Sequence, residues 1–369
     1  MFIKSIKLKS FRNYTRTHCE FQNGDNLLIG ENGQGKTNIL EALYILGFVK
    51  SFRGVQDRDI MAGGGDSYFV MGVYEDDNVE NTISIGFHQG IKQVSLNGKG
   101  IKRLSHLVGR LQMAAFTQND IELITGSPSH RRRFMDMTLS LTFPKYLESF
   151  QIYHRALRQR NKALKDTSNH GSRTSQHKIW DEQLIDSGTE LYKYRVAMFE
   201  PMNKHCQELY TTLNYDIKDF HLSYRPTIGD ISSVENINHR FRQKLQDSQD
   251  RELLYKQTLY GPHRDDFSIR TGNTEFKRFA SQGQTRAGAL TLKLSLCGYV
   301  EGISGKKMIL LLDDVLEDLD IKKKNKFLEL VDGRQNFFSA TSLTGYEPLM
   351  PEARIFKVES GDIREDTLG

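Results

Sequence analysis

Gly30-Glu31-Asn32-Gly33-Gln34-Gly35-Lys36-Thr37 follows the spacing G-x-x-x-x-G-K-[ST], with Asn38 next in line. A short apolar run, Asn26-Leu27-Leu28-Ile29, leads into it. Helical spacing (Ile39, Leu40, Leu43, Tyr44, Leu46) leads out. That context is what a phosphate-holding loop requires. Glycines let successive N–H groups turn into one concavity that holds phosphate oxygens. The start of the following helix adds partial positive charge. Lys36 is expected to reach the outer phosphates and the Thr37 hydroxyl to meet Mg²⁺, so the expected cofactors are ATP and Mg²⁺. A plain glycine turn is the bland alternative.

A second run supplies acid. The apolar stretch Met308 to Leu312 ends at Asp313-Asp314. Adjacent carboxylates repel unless a cation or separate roles justify them. Asp313 is expected to hold Mg²⁺, directly or through water, and Asp314 to orient or activate the attacking water. A helix-capping pair is the alternative. Further on the surface of the motif map, Ser281-Gln282-Gly283-Gln284 opens an apolar helix. Ser281 with Gln284 three residues on reads as a capping box, and a capped helix start is also an anion site.

Two basic clusters could meet nucleic acid. His130-Arg131-Arg132-Arg133 opens a helix, where positive charge opposes the macrodipole. Arg155, Arg158, Arg160, Lys162 and Lys165 crowd the end of the next helix. Arg131, Arg132, Arg133, Arg155 and Arg158 are the expected DNA contacts, made to phosphates, with salt dependence and little sequence preference. A solvated charged face is the alternative. His263-Arg264-Asp265-Asp266 has a catalytic composition. No serine or cysteine nucleophile is identified near it, so it reads as a network between lobes or a relay to the nucleotide.

The elements that must position these residues follow from composition and pattern. The 369 residues carry 51 Lys+Arg against 46 Asp+Glu, and a net +5 is too small to name a partner. That length predicts two domains. Cys19, Cys206 and Cys297 stand far apart without a CxxC pair, which argues against a cysteine zinc site and for a reducing compartment. No signal core opens the chain, and no run approaches the ~18 apolar residues of a membrane span. A cytoplasmic protein without a membrane partner is expected. Residues 67–100 alternate as hairpins with a turn at Asn97-Gly98. Ser127-Pro128 starts a helix. Another helix runs from Pro144 to Lys165, about 33 Å long. A polar loop spans Asp166 to Lys178, and a second long helix from Trp180 is interrupted at Pro201. Short strands follow at Asn336–Ala340 and Ile355–Val358. The pattern predicts an α/β head, residues 1–126 plus 249–369, split by a helical arm at 127–248.

The ensemble resembles the RecF family of SMC-like, ABC-type ATPases. The matching runs are Phe11-Arg12-Asn13-Tyr14, the Gly30–Asn38 loop, Lys50-Ser51-Phe52-Arg53, Gly126-Ser127-Pro128 with Arg131-Arg132-Arg133-Phe134, Gly261-Pro262-His263-Arg264-Asp265-Asp266, Ser281-Gln282-Gly283-Gln284, and Leu311-Leu312-Asp313-Asp314-Val315-Leu316 with Leu319-Asp320. They cover nearly the full chain. The resemblance implies an ABC/SMC-type P-loop ATPase head with an inserted helical arm. It implies that Ser281 and Gly283, with Gln284, meet the γ-phosphate held by a second subunit, and that Arg12 and Asn13 approach the nucleotide. Thr117-Gln118-Asn119-Asp120 departs from the family pattern; Gln118 is the candidate for the glutamine that reaches Mg²⁺ in other cassette ATPases. Thr341-Ser342 replaces the transporter histidine, so no histidine switch is expected. The implied activity is slow, DNA-stimulated ATP hydrolysis. It implies an ATP-dependent homodimer on duplex or gapped DNA, working with RecR and RecO to promote RecA loading. A P-loop phosphotransferase acting on a small molecule is the rival reading.

Overall fold

The computed structural model describes residues 1–366 apart from 64, 167–175, 214–218, 230, 232–235, 318, 345 and 347. The chain opens with β1 (Phe2–Phe11), β2 (Tyr14–Glu20), β3 (Asp25–Ile29), α1 (Lys36–Phe48), β4 (Ser67–Asp76), β5 (Val79–His88), β6 (Ile91–Leu96), β7 (Lys99–Gly100) and β8 (Met113–Phe116). Next come α2 (Glu122–Thr125), α3 (Pro128–Thr142), α4 (Pro144–Asp166), α5 (Gln176–Leu213), β9 (Phe220–Arg225), α6 (Ile237–Asp247), α7 (Gln249–Tyr255), β10 (Asp266–Thr271), β11 (Thr274–Glu275) and α8 (Gln282–Ser304). The last stretch holds β12 (Ile309–Leu312), α9 (Ile321–Val331), β13 (Asn336–Ala340), β14 (Arg354–Glu359) and β15 (Asp362–Glu365). Met1–Asp120 and Val300–Gly369 form one compact unit, and Ile121–Tyr299 another.

The first unit holds two six-stranded sheets, β2-β1-β4-β5-β6-β7 and β15-β14-β3-β13-β12-β8. The first is antiparallel, as its alternating apolar and polar residues require. Asp77-Asn78 and Asn97-Gly98 turn its hairpins with positive φ. In the second sheet β14, β3, β13, β12 and β8 run parallel. Its central strands β12 and β13 are fully buried and mostly apolar, as strands covered on both faces must be. Helix α1 buries Ile39, Leu40, Leu43, Ile45 and Leu46 in one core with residues of both sheets. The approach is close. A Cβ at Gly72 of β4 would come within 2.4 Å of Leu46 Cδ1. Parallel pairing brings the C-terminal ends of β3, β13, β12 and β8 to one sheet end, where open α/β sheets bind ligands.

The second unit is built on α4 and α5, with Tyr153, Leu157, Leu184 and Tyr192 buried. Two sequence expectations change here. Pro201 does not end the helix, because α5 continues to Leu213. A proline removes one backbone bond, but Met202, Cys206, Tyr210 and Leu213 beyond it are buried, and that apolar face holds the helix together. The insertion is also not helical alone. Strand β9 pairs antiparallel with β10, Phe267 opposite Tyr224, so residues 249–299 pack with the inserted helices rather than with the head. Most of the polar loop expected over Asp166–Lys178 lies outside the described residues, and α5 has already begun at Gln176.

Candidate nucleotide site

Strand β3 delivers the Gly30–Thr37 loop to the sheet end, and α1 begins at Lys36. Gly33 and Gly35 take φ of 84° and 122°, a region that only glycine enters freely. Lys36 is 4% exposed, and its Nζ donates to the carbonyls of Gly30 (2.5 Å) and Glu31 (3.1 Å). Its charge therefore sits inside the loop. Glu31, Asn32 and Gly33 face solvent. Tyr14, buried on β2, donates from its hydroxyl to the Gly35 carbonyl (3.1 Å) and braces the loop from beneath.

Thr37 meets the acidic pair across 276 residues of chain: its Oγ1 donates to Asp313 Oδ1 at 2.8 Å. The Asp313 backbone N–H donates to Phe116 O (2.9 Å), which extends the β12–β8 ladder by one residue. Ser339, on neighbouring β13, completes the set. Its Oγ lies 3.0 Å from Asp313 Oδ1 and 2.8 Å from Asp314 Oδ1, and it accepts the Asp314 backbone N–H at 2.8 Å. Asp314 takes φ of 54°, which turns the second carboxylate out of the strand line. Burial raises the pKa of Asp313 and the neighbouring charge of Asp314 adds to it; the bonds from Thr37 and Ser339 work against both. Among the described residues, no ion pair reaches Asp313 or Asp314. A hydroxyl and a carboxylate with all-oxygen chemistry suit a small hard cation that takes its other ligands from phosphate and water, so the residues fit Mg²⁺. Ser339 was not anticipated; a serine after the apolar pair Phe337-Phe338 of a buried strand was its signal.

The family described as RecF/RecN/SMC N terminal domain matches residues 2–345. A protein named DNA replication and repair protein RecF, from Lachnoclostridium phytofermentans, is 35% identical over 99% of this chain and 100% of its own length. This chain belongs to the RecF family. A protein of the same name from Bacillus pumilus is 34% identical, covering 98% of this chain and all of its own length. A solved structure of the recombination mediator protein RecF with ATP in the RecFOR pathway matches with a TM-score of 0.91 at 30% identity, over 99% of this chain and 98% of that one. The SMC head bound to the C-winged helix domain of ScpA matches with a TM-score of 0.57 at 16% identity, over 100% of this chain and 98% of that one, and shares the fold. The architecture is thus that of the RecF and SMC ATPase heads, with no described helix long and apolar enough to cross a membrane.

The other residues that RecF-family resemblance singled out divide by their partners. Arg12 is held within its own unit. Its guanidinium binds buried Glu41 of α1 through two bonds (2.8 and 2.7 Å) and the Asp59 carbonyl through a third (2.6 Å). Asn13 does touch the loop, donating to Gln34 O (2.8 Å) and accepting from Asn38 Nδ2 (2.8 Å). The turn after β14 holds Gln34 as well, with Ser360 N donating to its Oε1 at 2.6 Å. Gln118 lies exposed in a short 3₁₀ turn just past β8, at the sheet end that carries Asp313. Ser281 and Gln284, in the second unit, form the capping box: Ser281 N donates to Gln284 Oε1 (2.8 Å) and Gln284 N to Ser281 Oγ (3.2 Å). Ser281 and Gly283 are exposed, and a Cβ at Gly283 would meet nothing within 4 Å.

The basic clusters are corrected more heavily. Arg131 is buried, with Nε and Nη2 on Asp266 (2.7 and 2.9 Å) and Nη1 on the Gly126 carbonyl (2.8 Å). Its charge at the start of α3 is answered by a carboxylate of its own chain, not by phosphate. Arg132 donates to the Asp265 carbonyl (2.8 Å), and burial lowers its pKa. Arg160 is buried between Asp181 (2.6 Å) and Glu252 (2.7 Å). Arg133, Arg155 and Arg158 are exposed. His263-Arg264-Asp265-Asp266 is a network inside the second unit. Buried Asp265 accepts from Tyr224 (2.5 Å), Thr227 N and Oγ1 (2.8 and 2.9 Å), Tyr192 (3.3 Å) and Arg195 (3.3 Å). His263 faces the Thr258 carbonyl with Nε2 (3.1 Å), so Nε2 carries the proton and Nδ1 accepts from Tyr153 (2.6 Å). Burial brings its pKa down to about 3.

Proposed function

We propose that this RecF-family chain is an ATP-dependent DNA-binding clamp of recombinational repair and replication-fork maintenance, with slow DNA-stimulated ATPase activity. It works with RecR and RecO to promote RecA loading. The observation that carries this reading is the joint occurrence of two features. One is a phosphate loop whose Thr37 is bonded to an acidic pair that makes no ion pair among the described residues. The other is an exposed helix start, Ser281 to Gly283, with open space over Gly283. The relatives' shared name and the solved RecF–ATP structure support it.

In this mechanism the backbone N–H groups of Gly30–Thr37 bind the phosphates. Lys36 releases the Gly30 and Glu31 carbonyls and turns to the outer phosphates. Thr37 and Asp313 would hold Mg²⁺, which supplies charge neutralisation on those phosphates. Asp314, its carboxylate tethered by Ser339, orients the attacking water. Ser281 and Gly283 of a second copy cap the nucleotide, so one closed homodimer buries two ATP molecules and hydrolysis opens it. ATP thereby times residence on DNA. The test is ATPase rate titrated with duplex, single-stranded and gapped DNA. Stimulation is expected; a rate unmoved by all three contradicts the reading.

A further inference from the structure

We infer that the outer face of the antiparallel sheet in the first unit is a docking surface for the phosphate backbone of DNA. This rests on the DNA-binding reading above and moves the contact away from the arginines of α3. Lys7 and Lys9 stand two residues apart on β1, on one face and about 6.8 Å apart along the strand. On the edge strand β2, His18 lies directly opposite Lys7, and Arg16 directly opposite Lys9. All four are exposed. Among the described residues none of them makes an ion pair or a side-chain hydrogen bond.

Like charges directly opposite across strands destabilise a sheet. Here Lys9 faces Arg16 in such a row, and Lys7 stands in the next row opposite His18; among the described residues no carboxylate forms an ion pair with any of the four. Glu75 and Glu80 are tied to Lys4, at 3.5 and 3.1 Å. Glu20 lies one row further along β2, opposite Ser5. On the other side of β1 the rows continue through Phe69 and Met71 of β4 to Gly86 and Ser84 of β5, a low lane with no carboxylate. Phe69 is 37% exposed beside Lys9. A compact set of cations beside a flat, acid-free lane is complementary to a polyanion, and phosphate contacts would remove the repulsion that the sheet otherwise bears.

The test uses the full chain on duplex DNA over a range of salt, with ATP binding and thermal melting measured alongside. In Lys7→Ala/Lys9→Ala/Arg16→Ala, affinity at low salt is expected to fall at least ~10-fold and the log–log salt slope to flatten by about 2 to 3, at ~0.9 per phosphate contact. ATP affinity stays at the wild-type value, and the melting temperature does not fall, because the substitutions relieve the repulsion between Lys9 and Arg16. Wild-type affinity and slope in this variant overturn the surface. So does a slope that flattens only in Arg133→Ala/Arg155→Ala/Arg158→Ala, an outcome that leaves the DNA-binding reading standing. Failure of the unaltered chain to bind DNA removes that reading itself.

Discussion

The chain contains three adjacent aspartate pairs, and the fold treats two of them in opposite ways. Asp265-Asp266, in the second unit, meets arginines: Arg195 at Asp265 and a two-point bond from Arg131 at Asp266. Tyrosine and threonine donors fill the remaining lone pairs of Asp265. Asp313-Asp314, in the first unit, meets among the described residues the hydroxyls of Thr37 and Ser339 and backbone groups, with no ion pair. Hydroxyls orient a carboxylate without neutralising it. One pair is therefore closed and serves packing. The other keeps its charge, half-buried, at the mouth of a phosphate loop. On the proposed mechanism the same dipeptide is structural or functional according to whether its own chain supplies the cation.

This contrast can be broken from either side. The largest effect is expected at the closed pair. Asp265→Ala leaves the buried donors of Tyr224 and Thr227 without their acceptor and Arg195 with Asp136 alone, and should cost about 3–5 kcal/mol in denaturant unfolding; wild-type stability would erase the distinction. At the open pair, Asp313→Asn should lower ATP turnover by ~100-fold or more while leaving the fold at least as stable, because a buried carboxylate with a raised pKa is a cost to folding. Loss of fold in place of turnover would make the two pairs alike. Ser339→Ala removes the tether and not the charge, so a loss of about 10-fold in turnover with unchanged melting is expected.

The smallest effects are in pH, and they separate the two regions again. Nucleotide binding that needs ionised Asp313 should weaken on acidification at a higher pH than an ordinary aspartate allows, since its pKa is raised. His263 works through stability. Its folded pKa, about 3, lies below the unfolded value of 6.5, so the folded state binds fewer protons. Stability is then full above pH ~6.5 and declines as pH falls toward 3. A His263→Gln chain should lose that decline in acid melting curves.

Much of the first unit was legible from the sequence because its signals are local. The phosphate loop, the buried strand before Asp313 and the hairpin at Asn97-Gly98 each declare themselves within a dozen residues. Thr37 and Asp313 could be joined across the chain because their chemistry is complementary even though their positions are remote. Partners without such a motif were missed. Arg131 reads as a free cation beside Arg132 and Arg133, and only the β9–β10 pairing brings Asp266, 135 residues away, under its guanidinium. Nothing in the sequence marks Glu41 as the partner of Arg12. Burial beyond Pro201 outweighed a local helix breaker. Charge runs are thus the least readable feature, because exposure and pairing decide what an arginine does.

The most direct measurement of the central claim is sedimentation of Asp314→Asn, with and without an added Ser281→Arg, in ATP plus Mg²⁺. A closed dimer held by Ser281 predicts that Asp314→Asn, unable to hydrolyse, sediments as a dimer. The double variant binds ATP equally and remains a monomer. An Asp314→Asn chain that binds ATP yet stays monomeric, or a double variant that still dimerises, contradicts it.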